Sequence, residues 1–175
     1  LMTLAANAVL GPFFVITPVF TKNILQGGSG SFGLLLAFLS VGNIVGMLTI
    51  GRFNDIAGKK VVLLGFLIGG ISLVFLSVIG SLIGALVFYF LIGSGIGMIN
   101  VRWKTALQRF SPDKIRGKVM GITFTMAYAA QPISQASSGF ILGIVSSQMI
   151  FLFMGVAIIV LLFPLAFSQE LRKLD

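Results

Sequence analysis

No cysteine and no histidine occur in these 175 residues, and only Asp55, Asp113, Glu170 and Asp175 are acids. The first two absences exclude disulfides, thiolate or imidazole metal sites and histidine-based catalysis. Four scattered acids make a carboxylate metal centre unexpected, and none of them falls within a long apolar stretch. A Gly-Lys-Ser/Thr phosphate loop is missing too, so nothing points to ATP-driven work or to any cofactor. A membrane-embedded enzyme would need an intramembrane His, Asp, Glu or Cys, and none is present. Charge is scarce overall: 9% of residues, where soluble domains carry about 25%.

What is present is apolar, 57% of the chain, and the few charges are not spread evenly. Eleven of the twelve lysines and arginines fall in three clusters: Arg52 to Lys60, Arg102 to Lys118, and Arg172 with Lys173. Uncharged stretches cover 1–21, 23–51, 61–101 and 119–169, and only Lys22 stands apart. A charge at the centre of a bilayer costs at least about 2.5–3.5 kcal/mol. The gaps therefore read as membrane and the clusters as water.

A helix needs about 20 apolar residues to cross a hydrocarbon core. The first two gaps each fit one span. The 41-residue gap fits two with a turn at Ile79-Gly80-Ser81, and the 51-residue gap fits two with a turn near 143–148. The fold class expected is an all-α membrane protein, one domain of six spans at roughly 2–20, 32–50, 61–79, 82–101, 118–141 and 149–167. With six spans, both basic loops and the basic tail fall on one side, and Lys22 alone on the other. A lysine/arginine excess marks the cytoplasmic face. The expectation is a multi-pass protein of the plasma or inner membrane, with both ends of this segment cytoplasmic. The net charge of +8 does not indicate nucleic acid, because the cations flank the membrane and no soluble domain carries them. Leu1 already lies in an apolar stretch without a basic leader, so the first span does not read as a signal peptide. Residue 1 is expected to be a truncation point preceded by a cytoplasmic segment.

Glycines recur four apart at 42/46, 65/69, 80/84, 93/97 and 139/143, a spacing that lets helix backbones approach closely in lipid. Buried polar side chains are more informative. Asn7, Asn43, Asn100, Tyr128, Gln131 and Gln135 all sit within spans, and Thr123 to Ser138 is dense with hydroxyls and amides. A polar group in hydrocarbon must find a partner or face water. Pro132 removes a backbone donor, so a kink is expected near Tyr128 to Gln131. The fifth span can be a cavity wall, or these groups can simply bind helices together.

The two basic loops carry the most specific signal. The first reads Gly51-Arg52-Phe53-Asn54-Asp55-Ile56-Ala57-Gly58-Lys59-Lys60. The second holds Leu107-Gln108-Arg109, then Ser111-Pro112-Asp113, then Arg116-Gly117-Lys118-Val119 and Gly121. Ser111, Pro112 and Asp113 read as the start of the fifth helix: N-cap, first position and first turn. Arg102-Trp103-Lys104 reads as an interface anchor.

The first loop resembles the signature loop of the major facilitator superfamily, with Gly51, Asp55, Gly58, Lys59, Lys60 and Leu63 in place. Phe53 stands for the usual leucine, and Ile56 departs from the usual basic residue. The second loop looks like that of the family's macrolide-efflux and enterobactin-exporter branch. The resemblance runs over nearly the whole chain and fits the C-terminal half of a twelve-helix fold. It implies two three-helix inverted repeats, an architecture for which this superfamily is a standard example. It further implies a secondary active transporter, working by alternating access on small amphipathic molecules such as drug-like compounds, macrolides or siderophores. Its partners would be the lipid bilayer, the small-molecule substrate and a missing N-terminal six-helix half. A transport-inactive scaffold or receptor on the same fold is the alternative. Family exporters commonly couple to protons through an intramembrane carboxylate, which this half lacks. Gly51, Asp55, Gly58, Lys59, Lys60, Arg109, Asp113, Arg116 and Gly117 would form a cytoplasmic gating loop, with Asp55 its latch acid. Substrate-cavity positions would be Asn7, Asn43, Asn100, Tyr128, Gln131, Pro132 and Gln135.

Overall fold

The computed structural model describes residues 2–52, 58–110, 112 and 115–167. Among these residues the chain is all α-helix: α1 Met2–Asn23, α2 Ser29–Arg52, α3 Gly58–Leu76, α4 Leu82–Phe110, α5 Arg116–Ile141 and α6 Ser147–Phe167. Three of them, at 29–51, 58–76 and 82–109, are long and apolar enough to cross a membrane, and α6 contributes a shorter apolar stretch at 147–163.

The helix ends follow local chemistry. Ser81 and Ser146 cap α4 and α6, each hydroxyl accepting the backbone N–H of the third residue on, Gly84 and Met149, at 3.3 Å. After α1 the N–H of Gly27 reaches back six residues to the Thr21 carbonyl at 2.9 Å. Gln26 takes the left-handed conformation at φ 50°, although glycines follow it.

The fourth helix extends past the expected span of 82–101 and runs to Phe110. Charge at Arg102 ends the apolar run, but no glycine or proline interrupts the chain between 98 and 111, so the helix continues beyond the membrane-length segment. Pro112 then disfavours helical geometry at the residue before it. The fifth helix does not begin at Ser111-Pro112-Asp113. It begins at Arg116, with Ile115 at the cap position and no side-chain cap. Pro112 instead opens a turn, closed by the Ile115 N–H on its carbonyl at 3.1 Å. The proposed cap residue Ser111 lies outside the described residues, as does Asp113.

Packing is set by glycine. A Cβ on Gly42 or Gly46 of α2 would collide with the carbonyls of Phe90 and Ser94 of α4. One on Gly93 or Gly97 of α4 would collide with the carbonyls of Leu39 and Asn43 of α2. Contacts advance together along both helices, from 42/90 to 46/94, so α2 and α4 run parallel with their backbones touching. The same device joins α3 to α4, where Gly65 and Gly95 face each other, and α3 to α6, where Gly70 faces Gly155. Not all spaced glycines are used: Gly69, Gly80 and Gly139 meet nothing within 4 Å. The remaining extended contacts are α1 with α5 and α1 with α6.

The buried core lies toward the end where α1 finishes and α2, α4 and α6 begin. Its centre is Phe13, Ile16 and Phe20 of α1, Tyr89 of α4, and Phe151 of α6. Phe20 meets Phe151 edge-on at 5.1 Å, and Phe13 lies 5.1 Å from Tyr89. Large apolar side chains such as Leu48, Phe75, Val87 and Phe153 point outward, half or more exposed. A bundle that turns this much apolar surface outward has hydrocarbon as its solvent.

Candidate functional site

The polar run of α5 splits into two faces. Gln131, Ser134, Gln135 and Ser138 recur at helical spacing on the side turned to α1. There a Cβ on Gly11 of α1 would come within 2.8 Å of the Ser134 side chain. Ser138 is buried and donates to the Gln135 carbonyl at 2.7 Å. These groups join two helices. Thr125, Tyr128, Pro132 and Ser137 are exposed. Thr125 and Ser137 turn their hydroxyls onto their own helix, at the carbonyls of Gly121 (3.0 Å) and Ile133 (2.9 Å).

Tyr128 is different. It is 54% exposed and stacks on Phe124 at 6.4 Å. Among the described residues that ring contact is its side chain's sole interaction. Helix α5 continues through Pro132, which has no N–H to offer the Tyr128 carbonyl four residues back. One residue thus presents a phenol donor and a carbonyl acceptor relieved of its usual partner, both on an exposed helix face. Such groups suit a hydrated cavity or a polar neighbour.

The other sites expected to line a cavity are dispersed. Asn43 and Asn100 are half-buried on α2 and α4, and Asn43 belongs to the glycine-packed seam between those helices. Asn7 is on α1, its side chain outside what is described. An apolar cavity of about 30 Å³ between α1, α3, α4 and α6 touches Leu10, Phe66, Ile96 and Ile158. Its lining is apolar, so it offers a polar cargo nothing to bind.

The described residues expected to form a gating loop gather at one end. Gly51 lies in the last turn of α2, buried Gly58 opens α3, and half-buried Lys59 and exposed Lys60 follow. Arg109 is exposed in the last turn of α4, and Gly117 is exposed in the first turn of α5. Because α2 and α4 run parallel, both loops emerge at the same end of the bundle. Asp55, the expected latch acid, and Asp113 lie outside the described residues, as does the side chain of Arg116.

One polar cluster went unrecognised in the sequence. The Tyr89 hydroxyl donates to Thr17 Oγ1 at 2.9 Å, wholly buried, joining α4 to α1. Thr17 in turn donates to the Phe13 carbonyl at 2.7 Å, and Thr21 to the Thr17 carbonyl at 2.8 Å. The signal available was a pair of threonines four apart and a tyrosine within otherwise apolar spans. Removing the acceptor leaves the phenol stranded, whereas removing the phenol leaves a threonine still bonded to its own helix. Thr17→Val is therefore expected to lower stability by about 1–3 kcal/mol, and Tyr89→Phe by only about 0.5–1.5 kcal/mol. Thermal unfolding of the detergent-solubilised full-length protein checks the order; a larger loss in Tyr89→Phe would refute it.

Comparisons with known proteins complete the site. The family model described as Major Facilitator Superfamily matches residues 1–174. The chain is 25% identical over 144 residues to the multidrug efflux pump Tap of Mycolicibacterium fortuitum, an alignment covering 82% of this chain and 35% of that protein. The chain thus spans about a third of that relative's length. No solved structure matches.

Proposed function

The chain belongs to the major facilitator superfamily, and on that premise we propose that it is the C-terminal six-helix half of a secondary active transporter. Its action would be the export of small amphipathic molecules by alternating access, driven by protons. The observation that carries this reading is a symmetry in the packing. Exchange α1 for α4, α2 for α5 and α3 for α6, and the major contacts map onto one another. The α2–α4 contact becomes α5–α1, α3–α4 becomes α6–α1, and α3–α6 becomes itself. With an odd number of spans per repeat, two repeats related this way are inverted in the membrane.

Two exposed stripes support the missing half as partner. On α2 the stripe is Gly30, Gly33, Ala37 and Ser40; on α5 it is Gly121, Thr125, Ala129, Pro132, Ala136 and Gly139. Small residues along a helix face let another helix approach, an arrangement with no advantage against lipid. The two stripes lie on α2 and α5, which exchange under the same symmetry. Drug-like cargo is supported by the efflux-pump relative and by the uncharged, aromatic and hydroxyl-bearing exposed face around Tyr128. The proton-carrying acid would belong to the other half.

The test is transport by the full-length protein in proteoliposomes, with ethidium as probe and an imposed proton gradient. Expected is gradient-dependent ethidium movement that collapses when the gradient is dissipated. Movement indifferent to the gradient would refute proton coupling, and none for a panel of amphipathic cations and macrolides would favour the scaffold reading.

A further inference from the structure

We propose that the seam between α3 and α4 holds an anionic phospholipid, its phosphate met by Lys60, Arg102 and Arg109 and its acyl chains laid along α3. The inference stands apart from transport, since it rests on packing and charge alone.

Helix α3 is placed to meet lipid. The extended contacts order the helices as α2, α4, α3, α6, α1, α5. Helices α2 and α5, which bear the small-residue stripes, are at the ends of that series, and α3 is inside it. The outward face of α3 has the opposite character from those stripes. Leu64, Leu67, Ile71 and Phe75 are bulky and exposed, and they recur at helical spacing. Side chains of this size keep another helix backbone at a distance, where small residues would admit it. Lys60 falls on the same stripe, four residues before Leu64, and is exposed where the apolar run ends. A lysine so placed lays its stem on hydrocarbon and lifts its ammonium to the headgroups.

Helix α4 brings two arginines to the same side. Phe88, Gly95, Arg102 and Arg109 are seven apart and follow nearly one face of α4. That face is turned to α3, because Phe88 stacks on Phe75 at 5.3 Å and Gly95 meets Gly65 backbone to backbone. The two helices run antiparallel along this contact. Fourteen residues from the aromatic stack along each helix stand Val61 and Arg102, so Arg102 is level with the neighbour of Lys60. Arg102 is half-buried and already has an interaction within the protein; a guanidinium carries five N–H donors and can serve a phosphate as well. Arg109 is exposed about two turns further on, in the part of α4 that outruns its apolar segment. Among the described residues every charged side chain is a cation. Guanidinium and ammonium groups form charge-assisted hydrogen bonds with phosphate, and each cation at a membrane surface adds to the attraction for anionic lipid.

The experiment uses the delipidated full-length protein in detergent, with native mass spectrometry for bound lipid and thermal unfolding as a second readout. At least one dioleoylphosphatidylglycerol is expected to stay bound and to raise the unfolding temperature. Dioleoylphosphatidylcholine and inorganic phosphate at the same concentration are expected to do neither. Lys60→Gln and Arg109→Gln are each expected to weaken that phosphatidylglycerol about fivefold. Lys118→Gln removes an exposed cation on α5 and the same charge, and is expected to change nothing. Lys60 and Arg109 are surface residues, so unchanged unfolding without lipid verifies that the variants fold. Equal binding of both lipids, or a loss in Lys118→Gln as large as in Lys60→Gln, overturns the site and leaves a diffuse basic surface. Full competition by inorganic phosphate overturns the lipid as occupant, because acyl chains would then contribute nothing.

Discussion

Replacing Gly93 or Gly97 by leucine is expected to abolish the folded bundle. At both positions the first side-chain carbon would already occupy the space of a carbonyl of α2. The neighbour that must yield is backbone, so no rotamer change relieves the overlap. Overpacking a well-filled core costs about 1–3 kcal/mol even where side chains can shift. Here two helices would have to separate along a seam that also holds Gly42 and Gly46. Stability of a whole domain is only about 5–15 kcal/mol. Even Gly93→Ala with Gly97→Ala is expected to depress the unfolding temperature strongly. The control is Gly69→Ala, at a four-spaced glycine whose Cβ would meet nothing within 4 Å; it is expected to be neutral or mildly stabilising. Size-exclusion profiles and thermal unfolding of the full-length protein measure both. Normal folding of Gly93→Leu would mean that the α2–α4 seam is not as close as described.

Asp55→Asn is expected to lower transport by about 10- to 100-fold with the amount of protein unchanged. The figure corresponds to one charge-assisted hydrogen bond, about 1.5–3 kcal/mol, lost from whichever conformational state the latch stabilises. Asparagine keeps the size and the turn-forming side chain, so a purely local capping role would survive the substitution. The partner is expected across the boundary with the other half, with Arg109 or Arg116 as the partners available in this one. A double-mutant cycle with Arg109→Gln and with Arg116→Gln distinguishes these. Strong non-additivity names the partner, and additivity with both places it in the other half. Undiminished ethidium transport by Asp55→Asn at normal expression would end the latch assignment.

Particular residues show how far the chain could be read by itself. The helices sit within a few residues of the expected spans at most ends, because charge and apolar run length respond to the same bilayer. Helix α4 outlasts its apolar run: Arg102 marks where that run stops, while helix propagation depends on backbone breakers and continues to Phe110. The start of α5 was misplaced because Ser-Pro-Asp chemistry fits a turn as well as a helix cap. Gln26 could not be foreseen in the left-handed conformation with two glycines beside it.

The candidate site divided in the same way. Glycine spacing announced close packing, yet nothing local distinguishes Gly42, Gly46, Gly93 and Gly97, which interlock, from Gly69, Gly80 and Gly139, which meet open space. The polar run of α5 was visible, but its split into a face joined to α1 and a face bearing Tyr128 was not. Thr17 and Tyr89 are 72 residues apart, and neither stands out within its own helix. By itself the sequence determined what responds to solvent and to local backbone chemistry: an all-helical chain for the membrane, its charges gathered in clusters between apolar runs, and a family written in two of those clusters. The tertiary structure alone decided which helix faces meet, since that depends on the rotation of each helix against neighbours distant in the chain. Those faces divide the glycines into seams and open surface.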